Sequence, residues 1–122
     1  MSDISITTRE ADGVTIIDLD GRISLGESSA NLHEKIRSLA AEGKNRVLLN
    51  LERVTGIDSS GLGSLVAGHA TIEKSGGTMK LENLSDRTTE LMTITKLYTV
   101  FDIFDDERTA IGSFTGEQAA AG

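Results

Sequence analysis

Two serines at the start of an amphipathic stretch are the residues of this chain best placed for chemistry. The segment Thr55-Gly56-Ile57-Asp58-Ser59-Ser60-Gly61-Leu62-Gly63 follows an apolar run and precedes a helical pattern. Backbone N–H groups at a helix start lack intrahelical acceptors, and the macrodipole puts partial positive charge there. An anion is welcome at such a point, and the hydroxyls of Ser59 and Ser60 stand beside it. Gly61 and Gly63 leave the backbone open, with no bulky side chain to shield the serines. The simplest role for Asp58, Ser59 or Ser60 is to cap the helix, worth roughly 1 kcal/mol. More demanding roles lack their motifs. Val66 stands where the third glycine of G-x-G-x-x-G would fall, so a dinucleotide turn is not indicated. The chain has no G-x-x-x-x-G-K-[ST] phosphate loop and no G-x-S-x-G nucleophile elbow.

The two histidines are the other candidate catalysts. His69 falls in the apolar stripe of the helix that Ser59 opens, where a packed, partly buried ring is expected. Ten residues of helix would separate Ser59 from His69, about 15 Å, too far for a nucleophile and its base. His33 sits beside Leu32 and Glu34 and reads as a solvated surface residue. No H-x-x-x-H or H-E-x-x-H pair exists to hold zinc. Asp105-Asp106-Glu107 lacks calcium-loop spacing and reads as dipole partners of a helix start. No catalytic residue, metal or cofactor is expected.

The elements that must position the serines can be read from periodicity. Ile4-Ser5-Ile6-Thr7-Thr8 alternates as a strand, and Asp12-Gly13 is a favoured hairpin turn. Val14 to Leu19 forms the second strand, which Gly21 should end. Leu32, Ile36 and Leu39 fall at helical spacing between Glu27 and Glu42, with Gly43 as the stop. Arg46-Val47-Leu48-Leu49-Asn50-Leu51 is nearly continuous in its apolar character, as suits a strand buried on both faces. The helix opening at Ser59 or Ser60 carries Leu62, Leu65, Val66, His69 and Ile72 and closes at Gly76-Gly77. A short strand, Thr78 to Glu82, precedes a helix from Asp86 carrying Leu91, Ile94 and Tyr98. Val100 to Phe104 is the last strand, and Asp105 or Asp106 caps a short final helix holding Ala110 and Ile111. The order β-β-α-β-α-β-α-β-α implies an α/β domain, with a mixed central sheet of four to five strands, about four helices and right-handed crossovers. Residues 1–112 form the domain, and residues 113–122 a short, flexible tail.

Composition narrows the function. The 122 residues suit one domain, with 38 % hydrophobic and 25 % charged residues. There is no cysteine, which removes disulfides, thiolate nucleophiles and cysteine-ligated metals. No apolar run reaches the roughly 20 residues of a membrane helix, and the N-terminus lacks signal-peptide features, so a cytoplasmic protein is expected. With 12 basic and 19 acidic residues the net charge is −7. The four aromatics, Tyr98, Phe101, Phe104 and Phe114, all lie in the last quarter of the sequence. An acidic chain without spread aromatics is unsuited to nucleic acid, and a protein partner with a basic patch fits better.

These residues together resemble a known family. Arg46 to Leu51, then Val54, then Gly56-Ile57-Asp58-Ser59-Ser60-Gly61-Leu62-Gly63 look like the core signature of the STAS domain. More narrowly they resemble the bacterial anti-sigma factor antagonists, whose pattern is an apolar strand, a short turn and D-[ST]-S-G-L-G opening a helix. Leu19-Asp20-Gly21-Arg22-Ile23 and Gly76-Gly77 extend the likeness, which spans residues 4–112. The resemblance implies a binding module, not an enzyme. It implies phosphorylation at Ser59 by a partner that is both serine kinase and anti-sigma factor. Unphosphorylated antagonist would bind that partner and free the sigma factor; phosphorylated antagonist would let go, until a PP2C-type phosphatase restored it. The implied interface comprises Gly21, Arg22, Ile23, Ser24, Asp58, Ser59, Ser60, Gly61 and Leu62, on a monomer or weak dimer. In the family the first of these loops often reads G-E-L-D, and its acids help to engage a basic residue of the kinase. Here it reads Gly21-Arg22-Ile23-Ser24, with both acids missing and one charge reversed. The alternative is a STAS scaffold or accessory subunit of another assembly, such as a stressosome or a lipid-transport complex, not gated by Ser59.

Overall fold

A computed structural model describes the backbone of residues 4–121 and the side chains of residues 4–114. Its five strands are β1 (Ile4–Ala11), β2 (Val14–Ile23), β3 (Arg46–Ile57), β4 (Thr78–Glu82) and β5 (Ile103–Phe104). They lie side by side in sequence order, β1 antiparallel to β2 and the rest parallel. The helices are α1 (Glu27–Ala41), α2 (Ser59–Lys74), α3 (Asp86–Ile94) and α4 (Glu107–Ala121).

Alternation along the central strands sorts the core into two parts. Ile17, Leu19, Val47, Leu49, Leu51 and Leu81 face one side of the sheet. They pack there with Leu32, Ile36 and Leu39 of α1, Leu62, Leu65 and Ile72 of α2, and Met92 of α3. Val14, Ile16 and Leu48 face the other side and are covered by Ala110 and Phe114 of α4. Because β2 and β3 bury both faces, they read as near-continuous apolar runs.

Several elements differ from the sequence expectation in extent. Strand β2 does not end at Gly21. It continues to Ile23 through two register shifts, and Gly21 sits inside it at φ +124°, a conformation open to glycine. Strand β3 continues from Leu51 to Ile57, because Leu51 and Val54 still bury their side chains beside the lengthened β2. Helix α3 stops at Ile94 rather than carrying Tyr98. Lys96 adopts a left-handed conformation, and residues 97–99 form a separate 3-10 turn. That break leaves Ile94 and Tyr98 exposed. The last strand shrinks to Ile103–Phe104. The final helix is 15 residues long rather than short, and Asp106 accepts the Thr109 N–H at 2.8 Å as its cap. The expected tail begins inside this helix, where Phe114 is buried; the side chains of residues 115–122 lie outside the described ones.

The face under α4 turns polar along one row. Thr7, Asp18, Asn50, Glu82 and Phe104 are register partners across all five strands. The Asn50 amide donates to Asp18 at 2.9 Å, and the Asn83 amide donates to Asn50 at 3.1 Å. Arg9 forks between Asp18 on β2 and Glu107 at the start of α4, with Nη1 2.8 Å from the Glu107 carboxylate. Glu82 is fully buried, and among the described residues neither of its oxygens has a hydrogen-bond partner. Burial, then the neighbouring Glu107 carboxylate, push its pKa up to about 8. The α4 helix is thus docked through charge as well as through Ala110 and Phe114.

Candidate functional site

The start of α2 is assembled from three chain segments. Asp58 is the N-cap, extended at φ −104°, and its Oδ1 accepts the Gly61 N–H at 2.8 Å. Its Oδ2 accepts the N–H of Leu25, in the turn between β2 and α1, at 3.0 Å. The Asp58 N–H in turn donates to the Ile23 carbonyl at 3.2 Å. The Gly61 and Leu25 amides hold the Asp58 carboxyl below the ordinary carboxylate range. Asp58 therefore caps the helix, as its residue type suggested, and also ties the β2–α1 turn to it.

That turn is fastened from its other side as well. Ser28 and Ser29, both buried at the start of α1, donate their hydroxyls to the Ser24 carbonyl at 3.0 and 2.7 Å. The Ser24 N–H donates back to Ser28 Oγ at 2.9 Å. Between these anchors the side chain of Leu25 stands 81 % exposed.

Ser59 is the first residue of α2 and is exposed. Its hydroxyl makes no hydrogen bond to the described residues. Ser60 beside it is half-buried. Gly61 was expected to leave the backbone open; instead it is buried. A Cβ there would stand 2.2 Å from the Ile23 carbonyl oxygen, so the missing side chain is what lets α2 close onto the end of β2. Ile23 and Leu62 are likewise core residues. Of the nine residues in the expected interface, Arg22, Ser24, Asp58, Ser59 and Ser60 are those whose side chains reach the surface.

The structure does not bring Ser59 and His69 together. The His69 ring packs edge-on against Phe101, centroids 5.2 Å apart, with Nδ1 3.5 Å from Glu73. His33 is half-buried rather than fully solvated. The acidic run at residues 105–107 divides between a cap, Asp106, and an ion pair, Glu107 with Arg9. Among the described residues no cluster of His, Asp and Glu could hold a metal ion, and no helix is long and apolar enough to cross a membrane. What the site offers is an open hydroxyl on a rigid helix start, beside an apolar knob.

Sequence reasoning passed over two residues of this surface. Leu25 reads as one apolar residue in a polar turn. Arg87, in the first turn of α3, shares a crevice with Arg22 and Asp58. Its one signal in the sequence is a cation at a helix start, where the macrodipole disfavours it.

The model of the STAS domain family matches residues 5–110. The chain belongs to the STAS domain family. A curated relative, the anti-sigma-B factor antagonist of Bacillus subtilis (strain 168), is 34 % identical over 100 residues, covering 82 % of this chain and 90 % of the relative. An anti-sigma factor antagonist from Mycobacterium paratuberculosis superposes with a TM-score of 0.77 at 21 % identity, over 90 % of this chain and 92 % of that one. The Bacillus cell fate determinant SpoIIAA, solved in its phosphorylated form, gives 0.70 at 20 % identity, over 90 % and 99 %. The last two likenesses concern the fold. By sequence, this STAS domain is similar to an anti-sigma factor antagonist.

Proposed function

We propose that this STAS domain is an anti-sigma factor antagonist whose binding is switched by phosphorylation of Ser59. The observation that carries the reading is the Ser59 hydroxyl: exposed, free of hydrogen bonds to the described residues, and fixed at the first position of α2. The unphosphorylated protein binds an anti-sigma factor that is also a serine kinase. The phosphorylated protein is released, and a PP2C-type phosphatase resets it. Its place of action is the cytoplasm, as a monomer or weak dimer.

The physics at Ser59 suits such a switch. A phosphoryl group adds about −1.5 to −2 charge. At a helix N-terminus that charge is favourable by about 0.3–1 kcal/mol, so the fold survives it. Asp58, the nearest acid in sequence, already spends both oxygens on backbone amides. Within an interface, however, a dianion without a partner must shed its water, which costs far more than a surface contact contributes. Affinity falls while the structure stays. That a phosphorylated form of SpoIIAA is similar in fold supports the first half of this reading, that the structure survives the modification.

The test is intact mass after incubation with native cytosolic extract and ATP, beside a Ser59→Ala control. A gain of one phosphoryl mass, absent in the control, is expected. No gain, in an extract that phosphorylates another substrate, would favour a STAS scaffold indifferent to Ser59.

A further inference from the structure

Arg22 and Arg87, 65 residues apart in the sequence, line one crevice. It has a volume of about 360 Å³ and is lined also by Thr55, Gly56, Ile57 and Asp58. Arg22 is the register partner of Gly56 on β3, and its Nε lies 3.7 Å from where a Gly56 Cβ would stand. The guanidinium stem therefore rests over bare backbone. Arg87 enters from α3, where the helix dipole opposes its charge.

Neither arginine is ion-paired among the described residues. The ion pairs among the described residues engage Arg9, Arg37, Lys44, Arg53 and Lys80, but neither Arg22 nor Arg87. The one carboxylate lining the crevice, Asp58, is committed to the Gly61 and Leu25 amides. In a chain with 19 acids and 12 bases, two guanidiniums against the single carboxylate of Asp58 leave this crevice with a net positive charge. A guanidinium's fork matches a carboxylate bidentately. Leu25, tied through its own N–H to Asp58, stands exposed on the same assembly.

We propose that the Arg22–Arg87 crevice receives carboxylate side chains of the partner protein, beside a contact that the exposed Leu25 makes. The partner surface is thus acidic where it meets this crevice, opposite to what a net charge of −7 suggests. This deepens the Ser59 reading and rests on it for taking this surface as the interface.

The test uses ¹⁵N-labelled full-length protein and three probes: the peptide acetyl-Glu-Glu-Leu-Glu-Glu-amide, its all-Gln counterpart and inorganic phosphate. The expected result is saturable movement of the Arg22 and Arg87 Nε–Hε signals with the acidic peptide and none with the Gln peptide. Removing one fork by Arg87→Gln should weaken binding roughly tenfold, about 1.4 kcal/mol. Arg22→Gln should do the same, and dispersed spectra would show both variants folded. Three results overturn the proposal: neither signal moves; surface arginines elsewhere move alike; or phosphate displaces the peptide at equal concentration, which marks a simple anion site. None of these readouts involves modification of Ser59. Phosphorylation without peptide binding would remove the crevice alone, and peptide binding without phosphorylation the switch alone.

Discussion

Asp58 and Leu25 are 33 residues apart, yet the carboxylate of one holds the amide of the other at 3.0 Å. The same carboxylate caps α2 through Gly61. Asp58→Ala removes both acceptors. Hydrogen exchange should therefore accelerate at the Leu25 and Gly61 amides together, with a lowered Tm. Asp58→Asn keeps one oxygen and should free one of the two. The carboxyl is held low, so its stabilisation is present above the ordinary carboxylate pKa and fades as pH falls through the lowered value. Faster exchange at only one of the two amides in Asp58→Ala, or at neither, would refute the clamp.

Two glycines of α2, two residues apart, should respond oppositely to alanine. At Gly61 the new Cβ would press on the Ile23 carbonyl oxygen at 2.2 Å, against backbone that has no rotamer to yield. Gly61→Ala should cost about 1–3 kcal/mol or more. At Gly63 the new Cβ meets nothing, and alanine should stabilise the helix by up to about 1 kcal/mol. Urea unfolding of both variants reads the difference directly.

Glu82 should make stability fall as pH rises from about 5 to 8. In the native state it keeps its proton up to a pKa of about 8, against 4.5 for an ordinary glutamate. Unfolding between those values releases a proton, so stability declines from about pH 5 and levels off above pH 8. Glu82→Gln should flatten that slope, worth about 1–3 kcal/mol over the range. Asp18 and Glu107, both held low first by Arg9, act in the opposite sense at acid pH. Thermal melts of both proteins from pH 5 to 9 check this; parallel curves would refute it.

Charge at Ser59 should separate folding from binding. Ser59→Glu places an anion in the first turn of α2 and should leave stability within about 0.5 kcal/mol of the parent. Binding to the anti-sigma factor should be lost in Ser59→Glu and made permanent in Ser59→Ala. Calorimetry against that partner decides it, and binding retained by the Glu variant would end the switch reading.

Much of this architecture was legible because the apolar pattern carries it. Strand β3 announces itself through Val47, Leu48 and Leu49, and α2 through Leu62, Leu65 and Ile72. What sequence could not show depends on segments meeting in space. Gly61 looked like an opening and is a contact, because the Ile23 carbonyl arrives from another strand. Leu91, Ile94 and Tyr98 have helical spacing, yet Lys96 takes φ +61° and the last two face water. Glu82 gave no sign of burial, since its row of register partners forms only when five strands align. Arg22 and Arg87 likewise become neighbours only in the folded chain.

Strand β3 pairs with β4 only as far as Asn50, while its pairing with β2 continues to Ile57. The serine is thus delivered at the end of a two-stranded ribbon and locked into a helix. An enzyme acting on Ser59 has to read a solid object. The isolated stretch from Thr55 to Gly63 would be a poor substrate, and the kinase's discrimination would reside in shape instead of in a linear consensus.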